Sequence, residues 1–190
     1  MRGLTIVNIL SILAFVSGIP QDTASPSLVD PSIETPATEV PPSDSSLSKR
    51  ASNSDFPSYI IGVVCETNKV RKQNNLPPLQ IYAELNTLAQ KHTQYMVDIK
   101  TLTHEDAEGT LGTRLSRDKV KWSFCAENVA SGFLEPAKVV EAWMNSPGHR
   151  ANILNTRVKA IGIGNVGNFW TQNFSDFASG FNFDGYEPKC

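Results

Sequence analysis

Between residues 57 and 99 polar and apolar positions alternate with a period near that of an α-helix. Ile60, Val63, Val64, Thr67, Val70 and Arg71 share one stripe, which predicts a helix from Pro57 to about Asn74. Asp55 or Ser54 is the expected cap, and a proline at the first turn has no N–H to lose. Leu76-Pro77-Pro78-Leu79 then forces an extended connection. A second stripe, Leu85, Leu88, Ala89, His92 and Met96, predicts a helix from about Ala83 to Ile99. His92 falls on or near its packing face, where a core histidine bonded to a neighbour is expected. Residues 100–120 hold no sustained period and carry Gly109 and Gly112, so they read as a loop with at most one helical turn. From Trp122 to Val129 the period drops to two, which predicts a strand. A third helix spans Pro136 to about Asn145, with Val139, Val140, Trp143 and Met144 apolar. Ser146-Pro147 opens a short helix after it, serine capping and proline in the first turn. AIGIGNVGNFWTQNF, residues 160–174, is two strands around Val166-Gly167-Asn168, a hairpin. Helices mixed with a small antiparallel sheet make the fold α+β.

The first 50 of the 190 residues do not share this patterning. Residues 4–18, LTIVNILSILAFVSG, are almost wholly apolar, follow Arg2 and end in Ser17 and Gly18. A run of about fifteen apolar residues is short for a membrane span and fits a signal peptide, residues 1–18. Residues 19–50 are rich in Ser, Thr and Pro, with prolines at 26, 31, 36 and 41 and no aromatics. They read as a disordered propeptide, closed by a dibasic processing site at Lys49-Arg50. Residues 51–190 remain as one domain, long enough to bury a real core. Their charge is balanced, so nothing points to nucleic acid, and no later segment is apolar enough to span a bilayer. A secreted monomer is expected.

Three cysteines, Cys65, Cys125 and Cys190, imply one disulfide and one thiol in an oxidising compartment. The sequence leaves the pairing open. Cys65–Cys190 is preferred, because a tail is a natural place for a staple and Cys125 lies in an apolar run where a buried thiol is unremarkable.

Candidate chemistry sits at chain breaks: His104 in the loop after the second helix, Glu127 in the strand, His149 in the first turn of the short helix. Two imidazoles and a carboxylate could hold a zinc-like ion with a position open for water, and the helix N-terminus favours a neutral His149. Braced loops are the competing reading. Ser146-x-x-His149 also invites a serine-hydrolase reading, but no GxSxG elbow is present. Asn173-Phe174-Ser175 is a glycosylation sequon inside a predicted strand, where a glycan would clash with packing.

Asn68-x-x-Arg71, LPPL at 76–79, His104, CAENVASG at 125–132, VVEAWMNSPGHRANIL at 139–154 and AIGIGNVGNFWTQNF at 160–174 occur in that order. Together they resemble the CAP superfamily, or SCP domain: cysteine-rich secretory proteins, antigen 5 and pathogenesis-related class 1 proteins. The resemblance covers Phe56 to Phe177 and is nearest to the short branch carrying SPGHRANIL. It implies an α-β-α sandwich with a cleft lined by two histidines and acidic residues, which His104, Glu127 and His149 match. Ser146, Arg150 and Asn128 fall beside them as cleft support. Where the longer branch places a second acid, this chain has Ser146, so a divalent metal would be held weakly. The resemblance implies a binding protein for sterol or other small lipids and/or an extracellular protein partner, in defence, virulence or host interaction. The alternative is a metal-dependent endopeptidase with His104 and His149 on the ion and Glu127 as third ligand or base.

Overall fold

The computed structural model describes residues 51–190 in full and residues 14–18 as backbone. The rest of the proposed signal peptide, the propeptide and Lys49-Arg50 lie outside the described residues. The elements are β1 (Ala14–Gly18), α1 (Ser58–Gln73), β2 (Gln80–Ile81), α2 (Ala83–Ile99), α3 (Leu111–Arg117), β3 (Trp122–Ser131), α4 (Pro136–Asn145), α5 (Pro147–Ile153), β4 (Ala160–Val166) and β5 (Phe169–Phe177). The expected helices and hairpin are present, and the class is α+β.

Two local expectations need correction. Asp55 does not cap α1; it closes a 3-10 turn at Asn53–Asp55, accepting from the Ser52 backbone N–H at 2.7 Å, and Pro57 takes the N-cap place. Residues 111–117 are a helix. Seven residues are too few to show a period, but Leu111 and Leu115 lie one turn apart and are both buried, so packing holds α3 in place.

The sheet order is β1-β3-β5-β4-β2, antiparallel except for β2 beside β4. The β4–β5 hairpin turns on Gly167 and Asn168, with Gly167 at a φ of 58° that suits the missing Cβ. One face of the sheet carries α1, α4 and α5 over a core that includes Val63, Val64, Trp143, Ile161 and Phe174. The other carries α2 and α3, with Leu85, Leu88, Leu111, Leu115 and Cys125 between. The α2 backbone lies directly on β4: a Cβ at Gly162 would strike the Leu85 backbone, and one at Gly164 that of Ala89. The tail is pinned twice, by Tyr186 exchanging backbone bonds with Ile81 and by a Cys65–Cys190 disulfide. Cys125 is the buried free thiol.

The free edge of β4 is closed without a strand. Asn86 Oδ1 accepts from the Ile163 N–H at 2.8 Å, and Gln90 Oε1 from the Asn165 N–H at 3.0 Å. Two amide side chains of α2 thus stand in for a neighbouring strand.

Candidate functional site

Alternation along β3 sends Cys125 and Glu127 toward α2 and α3, and Ala126 and Asn128 toward α1, α4 and α5. Glu127 is 1% exposed, and its carboxylate is the hub of a polar cluster. Arg114 of α3 donates to Oε2 at 2.9 Å, and the His104 ring bonds Oε1 through Nδ1 at 3.0 Å. His92 of α2 lies 3.7 Å from Oε1, its own ring nitrogens held by Asp106 Oδ2 at 3.1 Å and the Thr103 carbonyl at 2.8 Å. Arg114 also donates to the His104 carbonyl at 3.2 Å and lies 3.5 Å from Asp106. Burial pushes the Glu127 carboxyl up; the His104 bond, the Arg114 charge and the charges of His92 and His104 outweigh it. The carboxyl ends below the ordinary glutamate range.

Sequence reasoning missed Arg114, because it read residues 100–120 as loop. The signal was there: Leu111 and Leu115 one turn apart after Thr110, with Arg114 beside them. His92 is the bonded core histidine that was expected, and it is also a neighbour of the candidate site.

On the opposite face the network is one of amides. Asn128 donates to Gln172 Oε1 at 2.9 Å and to the His149 carbonyl at 3.3 Å. Asn152 of α5 donates to Asn128 Oδ1 at 2.9 Å and to the Glu127 carbonyl at 3.3 Å, and Gln172 donates to Thr67 at 2.9 Å. Asn128 therefore ties β3 to β5 and to α5. Ser146 occupies the N-cap of α5, but no cap bond forms from its side chain, so the start of the helix rests on Pro147. Arg150 is exposed on α5. His149 is fully buried, and its helix is held from behind by Arg71, which donates to the carbonyls of Ile153 at 2.8 Å and Asn155 at 2.9 Å. Asn68 exchanges two bonds with the Leu79 backbone. The Asn68-x-x-Arg71 signature thus fixes α1 to the LPPL connection and to α5. Asn173 of the sequon is fully buried in β5, out of reach of a glycan in the folded domain.

The structure thus joins Glu127 to His104 and brings His149 in from the helix layer on the other face of β3. Both Glu127 oxygens are engaged within the protein, one by Arg114. An ion at this carboxylate would share its oxygens with His104 and Arg114, and would sit beside a guanidinium. Among the described residues, no three His, Cys, Asp or Glu side chains are grouped to hold a metal. As arranged, the donor set does not fit a three-ligand centre.

Two surface hollows lie away from these residues. One of about 490 Å³ sits between α1 and α2 over β4, with Tyr59, Ile60 and Ile163 among Asn86, Gln90 and Lys91. The other, about 1060 Å³, runs along α1 beside the disulfide, lined by Lys69, Lys72, Leu76, Pro78 and Glu187 among others. Both are in the size range of small-molecule sites. Among the described residues, no helix is long and apolar enough to cross a membrane.

Comparison with known proteins agrees with this architecture. YkwD of Bacillus subtilis, an uncharacterized protein, is 39% identical over 126 residues, 64% of this chain and 48% of its own length. The crystal structure of an extracellular SCP-domain protein from Bacillus anthracis is similar at a TM-score of 0.61 and 33% identity, over 63% of this chain and 40% of that one. An outer surface protein of Borrelia burgdorferi is similar at a TM-score of 0.58 and 26% identity, over 61% of this chain and 90% of its own. The chain thus spans about half the length of YkwD and less of the B. anthracis protein. The profile of the Cysteine-rich secretory protein family, CAP, matches residues 64–174, and with the fold and motifs in place this chain belongs to that family.

Proposed function

We propose that the chain is an exported CAP-domain protein that works by binding, taking up a sterol or other small lipid and/or an extracellular partner. The observation that carries this reading is the state of Glu127. A general base works best with a pKa near the working pH, and this carboxyl is displaced the other way. It is buried and bonded on both oxygens, with no hydroxyl or thiol nucleophile among its bonded partners. Export is supported by the Cys65–Cys190 bridge and by similarity to proteins described as extracellular or outer-surface. The groove over Ile60 and Ile163, apolar below with amides and Lys91 at its rim, suits an amphiphile with a polar head.

The experiment is uptake of radiolabelled sterol and of fatty acid by the secreted protein. Saturable uptake is the expected result, and its absence for both ligands ends the lipid version. Metal-dependent hydrolysis has less support, because the site as arranged lacks a convergent donor set. Metal analysis of the protein at neutral pH, with and without His149→Ala, tests it. A stoichiometric ion lost in the variant would return the endopeptidase reading to first place.

A further inference from the structure

The two edges of the sheet are closed by different means. On the β4 side, β2 covers Ala160 and Ile161, and beyond them side chains of α2 bond the Ile163 and Asn165 N–H groups. The outer edge of β3 pairs antiparallel with β1, from Ala14↔Asn128 through Val16↔Ala126 to Gly18↔Phe124, and Asn152 of α5 also donates to its Glu127 carbonyl at 3.3 Å. Those five residues belong to the segment read as a signal peptide. Once a signal peptidase removes it, the order becomes β3-β5-β4-β2 and β3 is an edge strand.

Apart from the Asn152 bond to the Glu127 carbonyl, residues 124–128 carry few of the features that normally guard an edge. They include no proline and no lysine, and their one charge, Glu127, is turned inward to Arg114 and His104. The bulge in the β3–β5 ladder falls before them, between Trp122 and Phe124. His104 bonds Glu127 on one face of β3, and Asn128 bonds the backbone carbonyl of His149 on the other.

We propose that the outer edge of β3, residues 124–128, is a docking edge for an extended polypeptide of a partner protein. The partner strand adds antiparallel in the register that residues 14–18 take here. Its main-chain hydrogen bonds supply affinity; alternate side chains, directed to the two faces, supply selectivity. The sequence seated in the structure, AFVSG, sets the expected chemistry: a short, uncharged run of small and apolar residues. The proposal rests on the binding function above and on removal of the leader, and it narrows the extracellular partner to a polypeptide.

The test uses the protein as secreted from the full-length gene, with its N-terminus sequenced. The probe is a fluorescent peptide of residues 11–21, alongside the same peptide with Phe15→Pro, which loses the backbone donor opposite Glu127 in the pairing. Saturable binding is expected for the first, weakened at least about tenfold by the proline. Hydrogen exchange should show new protection at the amides of residues 124–128. Retention of residues 14–18 in the secreted protein overturns the proposal, since the seat is then filled. So does absent binding, equal binding of the proline peptide, or protection confined to another region. Sterol and fatty-acid uptake is measured on the same preparation. Uptake without peptide binding ends this proposal and leaves the binding function standing; absence of both ends both.

Discussion

Arg114→Met removes the guanidinium from the Glu127 cluster while keeping most of the stem volume. The wild-type pair is 2.9 Å apart with each side chain 1% exposed, so water cannot replace the lost partner. Breaking a pair buried to this degree costs about 3–5 kcal/mol, because the surviving charge stays desolvated. That is a large share of the roughly 5–15 kcal/mol that holds a domain folded. Glu127→Gln removes the charge from the other side, and the double variant removes both. The assay is urea unfolding of all four proteins at neutral pH. The two single losses should exceed the double loss by about 0.5–3 kcal/mol, the usual range for residues in one network. The pH profile gives an independent reading. Glu127 ionises more readily folded than unfolded, so its contribution is complete above the ordinary glutamate value of about 4.3. It is lost as pH falls through the lower folded value. Stability of the wild type should therefore drop through that acid window, and Glu127→Gln should lack that part of the drop. An Arg114→Met protein within about 0.5 kcal/mol of wild type, or a cycle that is simply additive, would refute the view of Glu127 as a pinned hub.

Gly164→Ala drives a methyl group into the α2 backbone at Ala89 and should cost about 3 kcal/mol or more, read as a lowered unfolding midpoint; a neutral result would show that α2 can shift off β4. Cys65→Ser with Cys190→Ser opens a loop of 125 residues in sequence and should cost about 2–5 kcal/mol by thermal melt, matched by reducing the wild type. Cys125, its thiol pushed up to about 12 by burial and by the charge of Glu127, should resist iodoacetamide at pH 8 in the folded protein and react fully in urea. Rapid labelling in the native state would mean that the α3 side of the core opens.

What could be read from the sequence was whatever carried its own local period. α1, α2 and α4 each hold an apolar stripe several turns long, and the hairpin announces itself through Gly167-Asn168, so pattern alone locates them. α3 has two turns and no such record; it exists because Leu111 and Leu115 find the second core, and Arg114 comes into the site only as a consequence of that packing. The candidate residues divide in the same way. His104 and Glu127 were legible only as members of one candidate set with His149, and the structure bonds the first two. The place of His149 was not, because the side from which a helix reaches a strand depends on sheet register and layer order, and one sequence does not encode these locally. That difference bears on function. If all three side chains lay on one face, they would form a closed donor set, for which a metal would be the natural occupant. The structure bonds His104 to Glu127 and ties α5 to β3 through the His149 backbone carbonyl, so the outer edge of β3 lies between the His104 loop and α5, where an extended main chain fits.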